Sequence, residues 1–84
     1  MKTIMKSVVG LANFQQVRAR KGAVPLWIDL DPSGRPSIWF DVDTADAETP
    51  FDLYLRKDGE DIPEGSRYIG TFKHELHAYH AFTR

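Results

Sequence analysis

The chain has 84 residues, a formal net charge of −1 and no cysteine. This length accommodates one hydrophobic core, and we expect a single domain over residues 1–84. The lack of cysteine excludes disulfide bonds and thiol nucleophiles, and the near-zero charge provides no global field for nucleic acid or membrane surfaces. Direct nucleic-acid binding is therefore not expected.

The apolar stretch near the N-terminus is short and is broken by Gly10. It is too short for the core of a signal peptide or for a membrane span. We therefore expect a cytoplasmic protein without a membrane partner. The same region predicts two short strands, at 3–9 and 13–19, as a first hairpin around Gly10. Their core candidates are Met5, Val8, Val9, Phe14 and Val17.

The clearest element is a hairpin over residues 25–44, in which apolar residues alternate with polar or aromatic ones. Its predicted core residues are Leu26, Ile28, Leu30, Ile38, Phe40 and Val42. The central Asp-Pro-Ser-Gly-Arg-Pro sequence favours a turn, because proline presets φ and glycine accepts a positive φ. A loop of three or five residues keeps both apolar rows on one face and places Ile28 near Phe40 or Ile38.

Three further strands are predicted, at 50–57, 68–73 and 76–83. In the first of them Phe51, Leu53 and Leu55 point inward, and in the second Gly70 marks a bulge or a close approach. Residues 44–49 are the one segment that favours a short helix. The predicted fold is mainly β, a small antiparallel meander, barrel or sandwich of about six or seven strands with at most one short helix.

The hairpin carries tryptophans and carboxylates on the face opposite its core row. Tryptophan is enriched at interface hot spots, so this face is the candidate partner-binding surface. Its residues are Trp27, Asp29, Asp31, Trp39, Asp41 and Asp43. The alternative is that another element covers this face and makes both tryptophans core residues. Its acidic character favours a basic partner groove, such as that of a nucleic-acid-binding protein.

Two other clusters suggest small ligands. Basic residues that could contact the phosphate of a signalling nucleotide are Arg18, Arg20, Lys21 and Arg67. His74, His77 and His80 lie close together in sequence, but a strand points His77 away from the other two. We therefore expect no metal and no cofactor, and a core position for His80 with a hydrogen-bonded ring. No nucleophile motif is present, so we expect a protein that is not an enzyme.

Six short motifs occur in a characteristic order along the chain. They are Met-Lys-Thr-Ile-x-Lys at the start, Gly-Ala-Val-Pro-Leu at 22–26, Trp-Phe-Asp-Val-Asp at 39–43, Ile-Pro-Glu-Gly at 62–65, Tyr-Ile-Gly-Thr at 68–71 and His-Ala-Phe at 80–82. Together they resemble a domain-of-unknown-function family of small proteins encoded by tailed bacteriophages. The chain departs from that pattern at 55–59, where Leu-Arg-Lys-Asp-Gly replaces a Gly-Thr-Gly stretch.

The resemblance implies a phage accessory protein in the cytoplasm of a bacterial host. Small phage proteins of this kind often bind and inhibit a host protein, including defence components such as CRISPR complexes, and this is our first hypothesis. A second hypothesis is a binder or sponge of a small phosphorylated ligand. A third is a structural homo-oligomer that pairs its exposed edge strands.

Overall fold

A computed structural model describes residues 1–84, which form seven strands and no helix. In chain order the strands are β1 (Lys2–Val8), β2 (Phe14–Arg20), β3 (Val24–Leu30), β4 (Pro36–Asp43), β5 (Glu48–Lys57), β6 (Arg67–His74) and β7 (His77–Thr83). The predicted mainly β fold of about six or seven strands is confirmed. Residues 44–46 form a turn in place of the short helix considered at 44–49. No helix that could cross a membrane is present.

The strands form two antiparallel sheets that pack face to face. One is a three-stranded sheet in the order β1-β4-β3, and the other is a four-stranded sheet in the order β2-β5-β7-β6. The molecule measures 39 × 32 × 16 Å, and the shortest dimension corresponds to two stacked sheets. Of the three architectures predicted, the structure is therefore the sandwich.

The central hairpin has the predicted register. Its loop contains five residues, 31–35, and Ile28 lies opposite Ile38. Asp31 organises this loop because its Oδ1 accepts hydrogen bonds from the backbone N–H groups of Ser33 and Arg35, both at 2.9 Å. An aspartate that bonds to the backbone two residues ahead is a common way to start a turn.

Leu26 is a correction to the predicted core, because 51% of its surface is exposed. A β-bulge between Pro25 and Trp27 inserts Leu26 as an extra residue, so that Pro25 rather than Leu26 lies opposite Phe40. Proline has no N–H to donate to a ladder and is found in strands mainly at edges and bulges. The alternation is therefore interrupted at this point.

The core between the sheets contains mainly β-branched, leucine and aromatic side chains. Its fully buried members are Val9, Val17, Ala19, Ile28, Ile38, Phe40, Val42, Leu53, Leu55, Phe72, Tyr79 and Ala81. The inward positions predicted for Leu53 and Leu55 are confirmed, and Phe51 and Leu30 pack against this cluster while half-buried. In β7 Tyr79 and Ala81 belong to this cluster, and Thr83, two residues further on, is also buried.

The predicted first hairpin is wrong. β1 and β2 are strands, but β1 pairs with β4 and β2 pairs with β5, so consecutive strands belong to different sheets. Val9 and Val17 are buried as expected, and Met5 is half-buried. Val8 and Phe14 are about half exposed, at 49% and 50%, because both occupy outward positions of their strands.

The two sheets meet along two sides of the sandwich, which differ. On one side β3 lies against β6, and a Cβ atom built on Gly70 would lie only 2.9 Å from Cγ2 of Ile28. We call this side the closed seam. The short distance confirms the close approach predicted at Gly70, and a register shift between Tyr68 and Gly70 confirms the predicted bulge. On the other side β1 faces β2, and a hydrogen bond from Ser7 Oγ to the carbonyl of Arg18 joins them. We call this side the open seam.

A candidate protein-binding face

The outer surface of the three-stranded sheet is built from cross-strand rows of side chains. In one row Lys6, Trp39 and Trp27 lie side by side on β1, β4 and β3. In the next row Ile4 and Val24 flank Asp41. Regular alternation from Ile28 places Trp27 outward next to Trp39, and the bulge at Leu26 turns Val24 outward next to Asp41. We call the surface formed by these two rows the tryptophan face.

Large apolar side chains on this face are strongly exposed. Trp27 is 61% exposed, Ile4 65% and Val24 52%, and no other element covers them. Trp39 is half-buried between its neighbours in the row. Contiguous exposed apolar side chains on a monomer are uncommon and often mark an interaction site. Of the two alternatives left open by the sequence, the structure therefore makes Trp27 a surface residue.

The carboxylates around the face are paired within the molecule. Lys2 Nζ lies 2.7 Å from Asp41 Oδ1, and this hydrogen bond raises the pKa of Lys2. Asp31 Oδ2 lies 2.9 Å from Lys6 Nζ and 3.1 Å from an Arg35 guanidinium nitrogen. The hydrogen bond from Lys6, together with the backbone N–H of Arg35, holds the pKa of Asp31 far below its usual range.

Two further carboxylates on the hairpin also have internal partners. Asp43 Oδ1 accepts a hydrogen bond from the N–H of Ala45 at 3.0 Å and contacts the terminal ammonium of Met1 at 2.9 Å. These bonds lower the pKa of Asp43. Asp29 Oδ1 accepts a hydrogen bond from the N–H of Leu30 at 2.8 Å. The charges around the tryptophan face are thus largely compensated, and Asp31, with 1% of its side chain exposed, is buried.

The whole chain matches one known protein family. The family model is described as "Domain of unknown function (DUF7352)", and the match covers residues 1–84. The chain belongs to this family. Comparison with curated proteins and with solved structures found no match. The DUF7352 family carries no assigned activity.

The basic residues considered as a phosphate site do not converge in this DUF7352 domain. Arg18 donates two hydrogen bonds to Glu48 Oε1, at 3.2 and 2.6 Å, and Arg20 donates one to the carbonyl of Asp46 at 2.6 Å. Lys21 lies in the turn after β2. Arg67 is on β6, which β5 and β7 separate from β2 in the four-stranded sheet. The four basic residues therefore do not form one site.

The three histidines also have separate surroundings. His80 lies on the outer surface, half-buried, where its ring shares hydrogen bonds with Asp58 at 2.6 Å and with Thr71 at 2.9 Å. The hydrogen-bonded ring is as expected, but the predicted core position is wrong, because His80 has the outward orientation on β7. His74 lies half-buried near Glu75, and His77 is exposed beside Tyr79. No group of three metal-ligating side chains occurs.

Ile4 and Val24 were missed as members of the face. Ile4 lies on β1, where Lys2, Ile4 and Lys6 all point outward, so the outward row has no simple polar pattern. Strict alternation, counted back from the inward Ile28, would make Val24 an inward residue. The bulge lies between these two residues and turns Val24 outward. The period-2 spacing of β1 could have identified Ile4 as an outward residue. Its neighbours on the face lie on β4, which is distant in sequence, so they could not be predicted from β1 alone.

Proposed function

We propose that this chain is a non-enzymatic binding protein that docks on a host bacterial protein through the tryptophan face and inhibits it. The observation that carries the proposal is the exposed Trp27, which lies beside Trp39 and shares its sheet face with the exposed Ile4 and Val24. Aromatic anchors on a rigid surface dominate the energetics of many protein interfaces. A sheet face also loses little conformational entropy on binding, since its backbone is already ordered.

The pairing of the carboxylates changes the expected chemistry of the partner. Because Asp41 is bound to Lys2 and Asp31 to Lys6, the face presents exposed apolar side chains among carboxylates whose charges are already compensated. Such a surface suits a partner with an apolar docking patch more than a basic groove. A nucleic-acid-binding partner would then dock through a part of its surface other than its phosphate-binding residues.

The biological setting of the proposal comes from the resemblance to small proteins of tailed bacteriophages. In that setting the partner is a host protein in the bacterial cytoplasm, and a component of a defence complex such as a CRISPR complex is one candidate. The inhibition would arise because a domain of this size, docked next to the partner's working surface, blocks access to that surface. The DUF7352 match is compatible with this setting and carries no assignment of its own.

The test compares Trp27→Ala with a matched control, Tyr68→Ala. Tyr68 is exposed to almost the same extent, 62% against 61%, but it lies on β6 of the other sheet. Both variants and the parent chain are used to capture proteins from a bacterial lysate, with quantitative mass spectrometry as the measurement. The captured partner is then purified and titrated against each variant.

We expect Trp27→Ala to raise the Kd for the captured partner about 30-fold, which corresponds to ~2 kcal/mol, while Tyr68→Ala leaves it unchanged. Both variants should unfold within a few degrees of the parent, since neither side chain is part of the core. Equal binding by the parent and Trp27→Ala would show that the tryptophan face is not the docking surface.

A further inference from the structure

The open seam brings together two strand edges that each lack a neighbouring strand. β1 is the edge of the three-stranded sheet and β2 the edge of the four-stranded sheet. Between them lies a cleft of about 590 Å³, lined by β1 together with Arg18, Arg20, Val42 and Glu48. A volume of this size lies in the range of ordinary ligand-binding clefts.

The free edge of β1 presents unpaired backbone groups at every second residue. Val9 N–H donates to the carbonyl of Pro36, and the carbonyl of Met1 accepts from Thr44 N–H, both at 2.9 Å. In an antiparallel ladder such bonds alternate along the strand, so the odd-numbered residues of β1 bond to β4 and the even-numbered ones point away. The free groups therefore belong to Lys2, Ile4, Lys6 and Val8.

The facing edge of β2 follows the same alternation. The carbonyl of Asn13 accepts from Leu55 N–H, and Lys21 N–H donates to the carbonyl of Ala47, both at 2.9 Å. Odd-numbered residues of β2 therefore bond to β5, and the even-numbered ones point into the open seam. The carbonyl of Arg18 is one of these, and it accepts the hydrogen bond from Ser7 Oγ. This single bond joins the two edges.

The charge around the cleft is positive. Arg18, Arg20 and Lys6 line it, while Glu48 is its one carboxylate. Arg18 is paired with that glutamate, and the counter-ion of Lys6 is Asp31 in the hairpin loop. Arg20 donates to the backbone carbonyl of Asp46 and forms no salt bridge, although Glu48, the partner of Arg18, lies opposite it in the ladder. An acidic side chain that enters the cleft would therefore find a cation available.

We propose that the open seam binds an extended acidic segment of a partner protein, which adds to the edge of β1 as a further strand. Strand addition satisfies the free groups of β1 through backbone hydrogen bonds, and the charge of the cleft selects acidic side chains at alternate positions. A second copy of this chain is a poorer occupant, because its own β1 would bring Lys2 and Lys6 against Lys6 and Arg20.

The probe is a capped synthetic peptide of eight residues that alternates threonine and glutamate. One control peptide alternates threonine and lysine. A second control, the block peptide, has the composition of the probe with all its threonines placed before all its glutamates. Binding is followed by backbone amide shifts and hydrogen exchange in isotope-labelled protein. We expect only the alternating acidic peptide to bind, and it should slow the exchange of the Lys2, Ile4 and Lys6 amides.

Two variants test the mode of binding. Ile4→Pro removes a free N–H that the fold does not use, and edge strands tolerate proline at such positions; Ile4→Ala is its control, because it keeps the N–H. Arg20→Glu reverses the unpaired cation. We expect Ile4→Pro and Arg20→Glu each to weaken binding of the acidic peptide at least about 10-fold, and Ile4→Ala to retain it.

The proposal is overturned if the alternating acidic peptide leaves the β1 amides unchanged, or if the block peptide binds equally well. It is also overturned if light scattering shows a dimer in which the β1 amides are already protected without peptide. Should Ile4→Pro fail to fold, unchanged binding by Arg20→Glu would still overturn it. Trp27→Ala should bind the peptide normally, so this result is separate from that of the tryptophan face.

Discussion

The closed seam and the open seam join the same two sheets in different ways. At the closed seam the sheets are in van der Waals contact, because Gly70 leaves room for the buried side chain of Ile28. At the open seam the edges stay apart, with one hydrogen bond from Ser7 to Arg18 and charged side chains around a cleft. In this small sandwich the two sheets are in close contact on one side, and the free backbone groups lie on the other.

This difference also explains why both proposed binding surfaces involve β1. The strand has its even-numbered side chains on the tryptophan face and its even-numbered backbone groups at the open seam. Ile4 therefore contributes a side chain to one surface and an N–H group to the other. The closed seam offers no such combination, since β3 is covered by β6 along its edge.

Gly70→Ala tests the closed seam and should have the largest effect on stability. The new methyl group would lie 2.9 Å from Ile28 Cγ2, closer than packed carbon atoms approach each other. Ile28 is buried and β-branched, so its side chain cannot rotate away. We expect the free energy of unfolding in urea to fall by about 1–3 kcal/mol.

Gly10→Ala is the matched control, because it lies near the open seam, where a Cβ atom would be 3.8 Å from the nearest atom, Gln15 Oε1. It should change stability by less than about 0.5 kcal/mol. Ile28→Ala removes the opposing methyl group, so the double variant with Gly70→Ala should lose less than the sum of the two single changes. Strict additivity would mean that Gly70 and Ile28 do not limit the approach of the sheets.

Asp31→Asn should have the second largest effect, and it tests how the hairpin is tied to β1. Asparagine keeps an oxygen for the N–H groups of Ser33 and Arg35 but loses the ion pairs with Lys6 and Arg35. We expect a smaller loss at neutral pH than for Gly70→Ala, because Lys6 and Arg35 remain partly exposed and can be hydrated. Urea unfolding between pH 2 and pH 7 measures it.

The pH dependence has a definite sign. The pKa of Asp31 is lowered in the folded state, so its contribution is present above the ordinary aspartate pKa of about 4 and is lost as the pH falls below that value. Asp31→Asn should therefore flatten the acid loss of stability. Asp29→Asn, which removes the same charge from the same hairpin, is the control. If the dependence of stability on acid pH were unchanged in Asp31→Asn, the loss of stability in acid would not be due to Asp31.

The parts of the fold that were predictable from the sequence are local. The hairpin, its five-residue loop and the row Ile28, Ile38 and Phe40 follow from turn chemistry and alternation within a short segment. The pairing of β1 with β4 joins residues roughly 30 to 40 apart in the chain, from Val8 and Ser37 to Lys2 and Asp43, and leaves no local signal. The ion pairs of Lys2 and Lys6 depend on that pairing, and the exposure of Leu26 depends on the bulge, so neither was predicted.

Ser7→Ala should have the smallest of these effects, and it measures what joins the open seam. The change removes the hydrogen bond to the Arg18 carbonyl, which already lies at a free edge where water can replace the lost donor. We expect unfolding in urea to become easier by about 0.5–1.5 kcal/mol. Ser33→Ala, in the exposed hairpin loop with no side-chain hydrogen bond, is the control and should be neutral. A loss larger than that of Gly70→Ala would reverse the comparison, because the two edges at β1 and β2 would then be held together more firmly than the packed side formed by β3 and β6.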